Sequence, residues 1–368
     1  MKWFEYGDEK ISHREIMIAI PSMVIGVGIL SLPRSIAGAT TGSDGWISLL
    51  VIGVFFVLLT WIIAKIASSF PNQSFLSYTS LILTKPVAIV FTFLYTIVSI
   101  MIAAYEVREI SNIAKQYLFD RTPVEVISLI FLLVVVYAVA GSRAGIFRLN
   151  MMFLPIIILV ALAVFVFNLG WFRLGNLLPV FETSLSDYVK SFSTGITSYV
   201  GFGIILFYIS LAEKPEKTPR FAVIGMGIPI VVYILLYITC LGVFGHSVTS
   251  NLLYPTIELA KEIDIPGGFF ERVESVFFVI WIMAIFNTTV MALDIAILAL
   301  SSIFKSKDKM RLILILSPLV YVVAMYPKDI EGIGVLGNIV GYSAIILTFT
   351  VTVLLGVVGK LRRVKQGD

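Results

Sequence analysis

The stretch Val24 to Arg34, VIGVGILSLPR, decides how the whole chain is read. It lies in an apolar run, Ile16 to Leu32. About 17–25 such residues cross a hydrocarbon core of ~30 Å. A helix serving only as an anchor would avoid two glycines one residue apart, since each costs about 1 kcal/mol against alanine. The pattern returns 175 residues later as Gly201-Phe202-Gly203, inside SYVGFGIILFYI, Ser198 to Ile209.

Ten runs of spanning character frame these two motifs. The first five are Ile16–Leu32, Ile47–Ile66, Val87–Tyr105, Val124–Val139 and Met151–Leu169. The second five are Ile196–Leu211, Phe221–Phe244, Val273–Ile303, Leu312–Met325 and Ile333–Val358. Spanning segments must satisfy their own backbone groups, so the expected fold is an all-α membrane protein of ten transmembrane helices. Residues 1–183 and 184–368 form two five-helix halves, each opened by a Gly-x-Gly. Five is odd, so the halves enter the membrane from opposite sides and form a 5+5 inverted repeat. Interrupted segments at corresponding positions point to a transporter-type site at the bilayer midplane.

Gly-x-Gly in a membrane helix also serves close packing between helices. Two motifs in matching places favour unwinding, and unwound backbone is tolerated at that depth only where it lines a cavity. The half-helix ends aim partial charges into such a cavity. A zwitterion suits it, with its carboxylate on N–H groups and its ammonium on carbonyls. Gly26, Val27, Gly28, Gly201, Phe202 and Gly203 are therefore candidate binding residues. Neither motif is a nucleotide fingerprint, because the third glycine and the flanking strand are missing.

Composition agrees. Of 368 residues 58% are hydrophobic and 14% charged, with mean hydropathy +0.99, whereas soluble chains are about 25% charged. Cys240 is the only cysteine, and His13 and His246 are the only histidines. No internal disulfide, metal site or cofactor is expected. The net charge of +4 does not imply nucleic acid; its distribution speaks to topology. With the N-terminus inside, 18 of the 27 lysines and arginines fall on cytoplasmic segments, which places both termini in the cytoplasm. A cleaved leader is not expected. Ala37-Gly38-Ala39 resembles a cleavage site, but Glu5, Asp8, Glu9 and Glu15 precede a run longer than a usual signal core.

Polar groups inside the runs are functional candidates by default. Glu106 and Glu109 share a helix face, and Arg108 points nearly the other way. They follow the third run, so both an interior and an interfacial placement stay open; on a long helix Glu106 is best placed to reach the centre. Asn287-Thr288-Thr289 fall at the middle of the eighth run. Interhelical or back-bonding hydrogen bonds are the plain alternative for the threonines. Asp294, seven residues on, either pairs with Arg143 or Arg148 or, together with Thr289, serves ion or proton coupling. PTIELAKEI, Pro255 to Ile263, reads as a short helix over the outer mouth, as a lid or as a docking surface. No nucleophile elbow, phosphate loop or zinc ligand set is present, so no enzyme is expected.

Several motifs together resemble one family. GVGILSLPR (Gly26–Arg34), DGW (Asp44–Trp46), YEVREI (Tyr105–Ile110), RTP (Arg121–Pro123), YPTIEL (Tyr254–Leu259) and FFERVESV (Phe269–Val276) are similar to the B subunits of nutrient germinant receptors of endospore-forming bacteria. The resemblance covers nearly the whole chain in order. It implies the leucine-transporter fold of the amino acid–polyamine–organocation superfamily. It also implies a spore inner membrane location, A and C subunits as partners, and a small germinant, often an amino acid, bound in a central pocket. Gly26 and Gly28 match the first helix break, Gly201 and Gly203 the sixth, and Thr288 the polar centre of the eighth helix. Ile102, Val200, Phe202 and Thr288 are then the expected wall residues. Related proton-coupled permeases carry a lysine in the fifth span, and Met151–Leu169 has none. The rival readings are a proton- or cation-coupled amino acid transporter and a channel or scaffold without a small-ligand site.

Overall fold

The computed structural model describes residues 10–263, 273–306 and 308–362. The leader charges before Lys10, Phe269–Arg272 of FFERVESV, Lys307 and the chain after Arg362 lie outside the described residues. The helices are α1 (His13–Val24), α2 (Gly28–Ala37), α3 (Gly45–Ser68), α4 (Phe75–Ile82), α5 (Lys85–Tyr117), α6 (Val124–Ala140) and α7 (Arg143–Phe167). They continue with α8 (Leu185–Gly195), α9 (Ile205–Tyr208), α10 (Thr218–Asn251), α11 (Pro255–Lys261), α12 (Val273–Phe304), α13 (Lys309–Met325) and α14 (Ile330–Leu361).

Helices α3, α5, α7, α10, α12 and α14 are each long and apolar enough to cross a membrane. Two broken pairs join them: α1 with α2, bent by 59°, and Leu185–Tyr199 with Phe202–Leu211, bent by 46°. Helices α6 and α13, of 17 residues each, reach about 25 Å at 1.5 Å per residue. Together these make the ten segments expected, in order, with the first and sixth interrupted. Large apolar side chains stay exposed along α3, among them Val51, Val54 and Leu58, which is the mark of a lipid-facing surface rather than a soluble one.

Local signals set the helix ends. Ser12 and Glu15 form a reciprocal capping box at α1, with Ser12 N–H donating to Glu15 Oε2 at 2.6 Å. Ser142, Asp308 and Asp329 cap α7, α13 and α14 with their side chains. At the far end of α2, His246 Nε2 lies 2.9 Å from Ala37 O and 2.8 Å from Thr40 O. It reaches them because Gly245, at φ +77, breaks α10 one residue earlier.

Several elements differ from the sequence reading, among them α7, which starts at Arg143 rather than Met151. Helix α5 runs to Tyr117 instead of stopping at Tyr105, because Glu106, Arg108 and Glu109 are buried by packed neighbours rather than left at an interface. The sixth segment starts at Leu185, capped by Ser184, earlier than its apolar run. Helix α4, started by Ser74, is too short for a hydropathy window to register. The mouth helix α11 is present, held to α2 by Thr256 Oγ1–H donating to Ile29 O (3.1 Å) and to α5 by Tyr117 O–H donating to Glu258 (2.8 Å).

Asp44 joins two loops on that same side. Its carboxylate accepts the N–H groups of Phe181, Glu182 and Thr183. Burial pushes this carboxyl up, but the three amides outweigh it and hold it below its ordinary value of 3.8. A carboxyl lowered in the folded state stabilises above its ordinary range and loses that contribution as pH falls through its folded value. Hydrogen exchange at residues 181–183 is therefore expected to accelerate as pH drops below 3.8, after correction for intrinsic rates. Asp44→Asn should show the faster exchange already at neutral pH. Equal protection in the two proteins at pH 7 would refute this.

Candidate functional site

Ending α1 at Val24 and restarting at Gly28 orphans carbonyls at one end and amides at the other. The structure answers several of them. Pro21 O accepts from Ile25 N–H (2.8 Å), and Val24 O accepts from Gly26 N–H (3.0 Å) and from Tyr233 O–H (2.9 Å). Thr288 Oγ1 lies 3.2 Å from Ser22 O and 3.4 Å from Met23 O. On the amide side, Val27 N–H donates to Glu106 Oε2 at 3.1 Å. A carboxylate at a helix N-terminus also meets the positive end of its dipole. One side chain each from α5, α10 and α12 thus holds the break open. Gly26 has to be glycine for this: a Cβ there would sit 2.6 Å from Glu106 Oε1.

The second break meets the first. Val200 is extended and Gly201 has φ +119, a conformation that L side chains rarely adopt. A Cβ on Gly201 would lie 2.6 Å from Met23 Cγ and 3.0 Å from Met23 O. The Tyr233 hydroxyl is also 3.0 Å from Ser198 O, so one O–H is shared between the carbonyl ends of both broken helices.

A cavity of about 540 Å³ opens from this junction, within the ~300–1,000 Å³ typical of small-molecule sites. Of the expected residues, Gly26, Gly28, Ile102, Glu106, Val200 and Thr288 line it. Val27 contributes its amide, through Glu106, with its side chain buried elsewhere. Gly201, Phe202 and Gly203 line a separate pocket of about 40 Å³, behind a wall formed by Met23, Ile102 and Val200 that borders both spaces. Asn287 lines neither; it is buried, and its Nδ2 has no partner. Among the peptide groups at the two breaks, side chains already engage Ser22 O, Val24 O, Ser198 O and Val27 N–H.

Sequence reasoning missed Tyr233, whose signal was a hydroxyl-bearing ring in the middle of an apolar run. It put Glu106 and Glu109 on one helix face but took only Glu106 toward the centre, whereas both form the acidic floor. Glu106 and Glu109 are 6% and 9% exposed and both line the cavity. Glu109 Oε1 accepts from Tyr254 O–H at 3.0 Å. Arg108 turns away, its Nη1 3.8 Å from Met325 Sδ. Arg34 and Lys190 line the mouth. Arg34 is six residues beyond Gly28 on α2, about 9 Å farther out at 1.5 Å per residue.

The opposite end is shut. Asp294, fully buried, lies six residues beyond Thr288 on α12, away from the mouth helix. Its carboxylate pairs with Arg143 Nε (3.2 Å) and Lys309 Nζ (3.7 Å) and accepts from Tyr208 O–H (3.1 Å). Arg143 is thus the partner, of the two arginines the sequence offered. Thr289 Oγ1 donates to Ile285 O of its own helix at 2.7 Å. Neither Asp294 nor Thr289 borders the cavity. Among the described residues no group of His, Cys, Asp and Glu is arranged to hold a metal ion.

This architecture has known counterparts. The chain matches the permease family described as "Spore germination protein" over residues 10–333. It is 40% identical over 370 residues to "Spore germination protein GerLB" of Bacillus cereus, covering 100% of this chain and 99% of the relative. It is 29% identical to "Spore germination protein YndE" of Bacillus subtilis (strain 168), with 98% of each chain covered. Solved structures share the fold, among them the following two. MhsT in complex with L-phenylalanine superposes with a TM-score of 0.68 at 14% identity, over 96% of this chain and 99% of that one. Mhp1, a nucleobase-cation-symport-1 family transporter, gives 0.67 at 13% identity, over 89% and 75%. The all-helical architecture with its interrupted first and sixth segments is accordingly the leucine-transporter fold in a multi-pass membrane protein, and the chain belongs to the spore germination permease family.

Proposed function

We propose that this protein is the permease-like B subunit of a nutrient germinant receptor, and that it binds a small germinant, in the first instance an amino acid, in the cavity where its two broken helices meet. The observation that carries this reading is the capped junction itself. Glu106, Tyr233 and Thr288 hold two helix ends apart around a 540 Å³ space, a costly arrangement for a protein that only anchors or scaffolds. Ligand contacts come from Gly26, Gly28, Ile102, Glu106, Val200 and Thr288. Occupancy shifts an equilibrium between cavity-open and cavity-closed states, by as much as the ligand's affinities for the two states differ. The A and C subunits read that shift, and the whole assembly sits in the spore inner membrane with both termini cytoplasmic, on the side richer in Lys and Arg. Residues 1–183 and 184–368 are the two inverted repeats.

Spores whose only nutrient receptor contains this subunit are expected to germinate with one or a few amino acids and to show saturable dose dependence. Spores that respond to none, while the receptor is assembled at normal level, would turn the reading away from amino acids. The second reading, a proton- or cation-coupled amino acid transporter, is favoured by the fold shared with MhsT and Mhp1. Counterflow in proteoliposomes separates the two. A sensor gives ligand binding without exchange, and sustained gradient-driven accumulation would make transport the primary activity.

A further inference from the structure

We infer that the cavity takes its ligand ammonium end first, with the cationic group set against Glu106 and Glu109, and that it prefers zwitterions to bare cations and to anions. This rests on the cavity reading above and adds the charge class and orientation of the ligand.

The expected arrangement in a broken-helix site puts a ligand carboxylate on the amides of the restarting helix. Here the protein has placed its own carboxylate there, since Val27 N–H donates to Glu106 Oε2. A second carboxylate brought to the same helix end would meet Glu106 directly and Glu109 one turn away. The second Glu106 oxygen, Oε1, has no hydrogen-bond partner among the described residues and lies against Gly26, which lines the cavity. The side chain is 6% exposed, so this is a buried acceptor turned toward an open space. Glu109 offers a second acceptor, fixed in orientation by Tyr254. An ammonium, with three donors and a positive charge, answers both.

The mouth carries the opposite sign. Arg34 and Lys190 border the cavity at its outer end. A bare inorganic cation must pass these two groups, and an anion that passes them meets the acidic floor. A zwitterion entering ammonium first is opposed at neither level, because its carboxylate trails on the side of Arg34 and Lys190. The floor and mouth therefore act as a charge filter in series. On the carbonyl side, Val24 O and Ser198 O are already engaged by Tyr233, so the carboxyl groups of Glu106 and Glu109 add acceptors beyond the broken backbone.

The test uses the full chain in lipid nanodiscs. The twenty amino acids, n-propylamine and propionate are screened by shift in melting temperature. The best amino acid is then measured by equilibrium dialysis beside its N-acetyl and its carboxamide derivatives. N-acetylation is expected to weaken binding at least 50-fold and amidation less than tenfold. Glu106→Gln and Glu109→Gln are each expected to weaken it at least tenfold without moving the ligand-free melting temperature, because glutamine still accepts from Val27 N–H and from Tyr254. An N-acetyl derivative that binds as well as its parent, an amide that loses more than the N-acetyl form, or a panel in which only propionate binds overturns the orientation. A panel in which no amino acid and no amine binds overturns it as well. Gly28→Leu separates the two levels, since a Cβ at Gly28 meets nothing closer than 3.5 Å and the rest of the side chain would fill the cavity. Binding abolished by Gly28→Leu yet indifferent to N-acetylation leaves the cavity reading standing and sinks the ammonium assignment. Binding untouched by Gly28→Leu sinks the cavity reading.

Discussion

Spores whose only nutrient receptor carries Gly26→Leu are expected not to germinate at any nutrient concentration that drives the parent, although the subunit still inserts. The first carbon of the new side chain would sit 2.6 Å from Glu106 Oε1. That oxygen is the far end of a flexible chain, so the glutamate yields and the bundle survives, but its bond to Val27 N–H is lost. Hydrogen bonds to charged groups contribute about 1.5–3 kcal/mol, roughly 10- to 150-fold in affinity, and the remaining leucine atoms occupy the ligand's space. Gly26→Ala isolates the first effect and should raise the half-maximal germinant concentration about tenfold. Gly201→Ala behaves differently. It meets the backbone of Met23 at 3.0 Å and must hold φ +119, so it strains the fold itself by about 2 kcal/mol or more. Its signature is a lower melting temperature of the purified protein, with germination failing through poor assembly. An unchanged dose response with Gly26→Leu would remove the cavity from the signalling path, and a stable Gly201→Ala protein would show that the second break is not required.

The contrast between the two glycines shows what sequence could and could not supply. Gly26 and Gly201 were legible because a helix in lipid tolerates broken backbone only for a reason, and two breaks at matching places repeat that reason. The order of spanning segments was legible because bilayer thickness fixes their length. The extent of α5 was not. Hydropathy falls at Glu106, Arg108 and Glu109, so the run ends at Tyr105 in a linear reading, whereas the folded helix continues to Tyr117. The two carboxyl groups are hydrogen-bonded by Val27 N–H at the start of α2 and by Tyr254 of the loop before α11, and no window along one helix contains its neighbours. Tyr233 escaped for the same cause: its two acceptors, Val24 O and Ser198 O, are 209 and 35 residues away. Thr288 was found by its depth, and the interhelical hydrogen bond weighed for it is present. It ties α12 to the end of α1 as well as lining the cavity. The division of the Gly-x-Gly pair between two spaces depends on how Met23, Ile102 and Val200 close against one another, which is a matter of packing.

Asp294→Asn is expected to open the closed end of the protein and to lower its stability by on the order of 3 kcal/mol, the usual scale for breaking a buried ion pair on one side. Asp294 is fully buried between Arg143 and Lys309. Removing its charge sets two cations facing each other across a neutral amide, at the starts of α7 and α13. Tyr208 O–H loses its charged acceptor at the same time, which frees the segment that follows the second break. The 40 Å³ pocket reaches Ile295, next to Asp294, and holds Thr348 as well as Gly201 and Gly203. Loosening here should therefore let reagents in from the side away from the mouth. Cys240, the only cysteine, is buried, so a cysteine introduced by Thr348→Cys can be followed without background. It is expected to resist a polar thiol reagent in the parent and to react at least tenfold faster when Asp294→Asn is added. Labelling that stays slow while the melting temperature falls would make the Asp294 cluster a fastener of the bundle and nothing more. Faster labelling that saturating germinant slows again would show that the ligand cavity and the far closure belong to one equilibrium, which is what a sensor reporting its pocket at a distance requires.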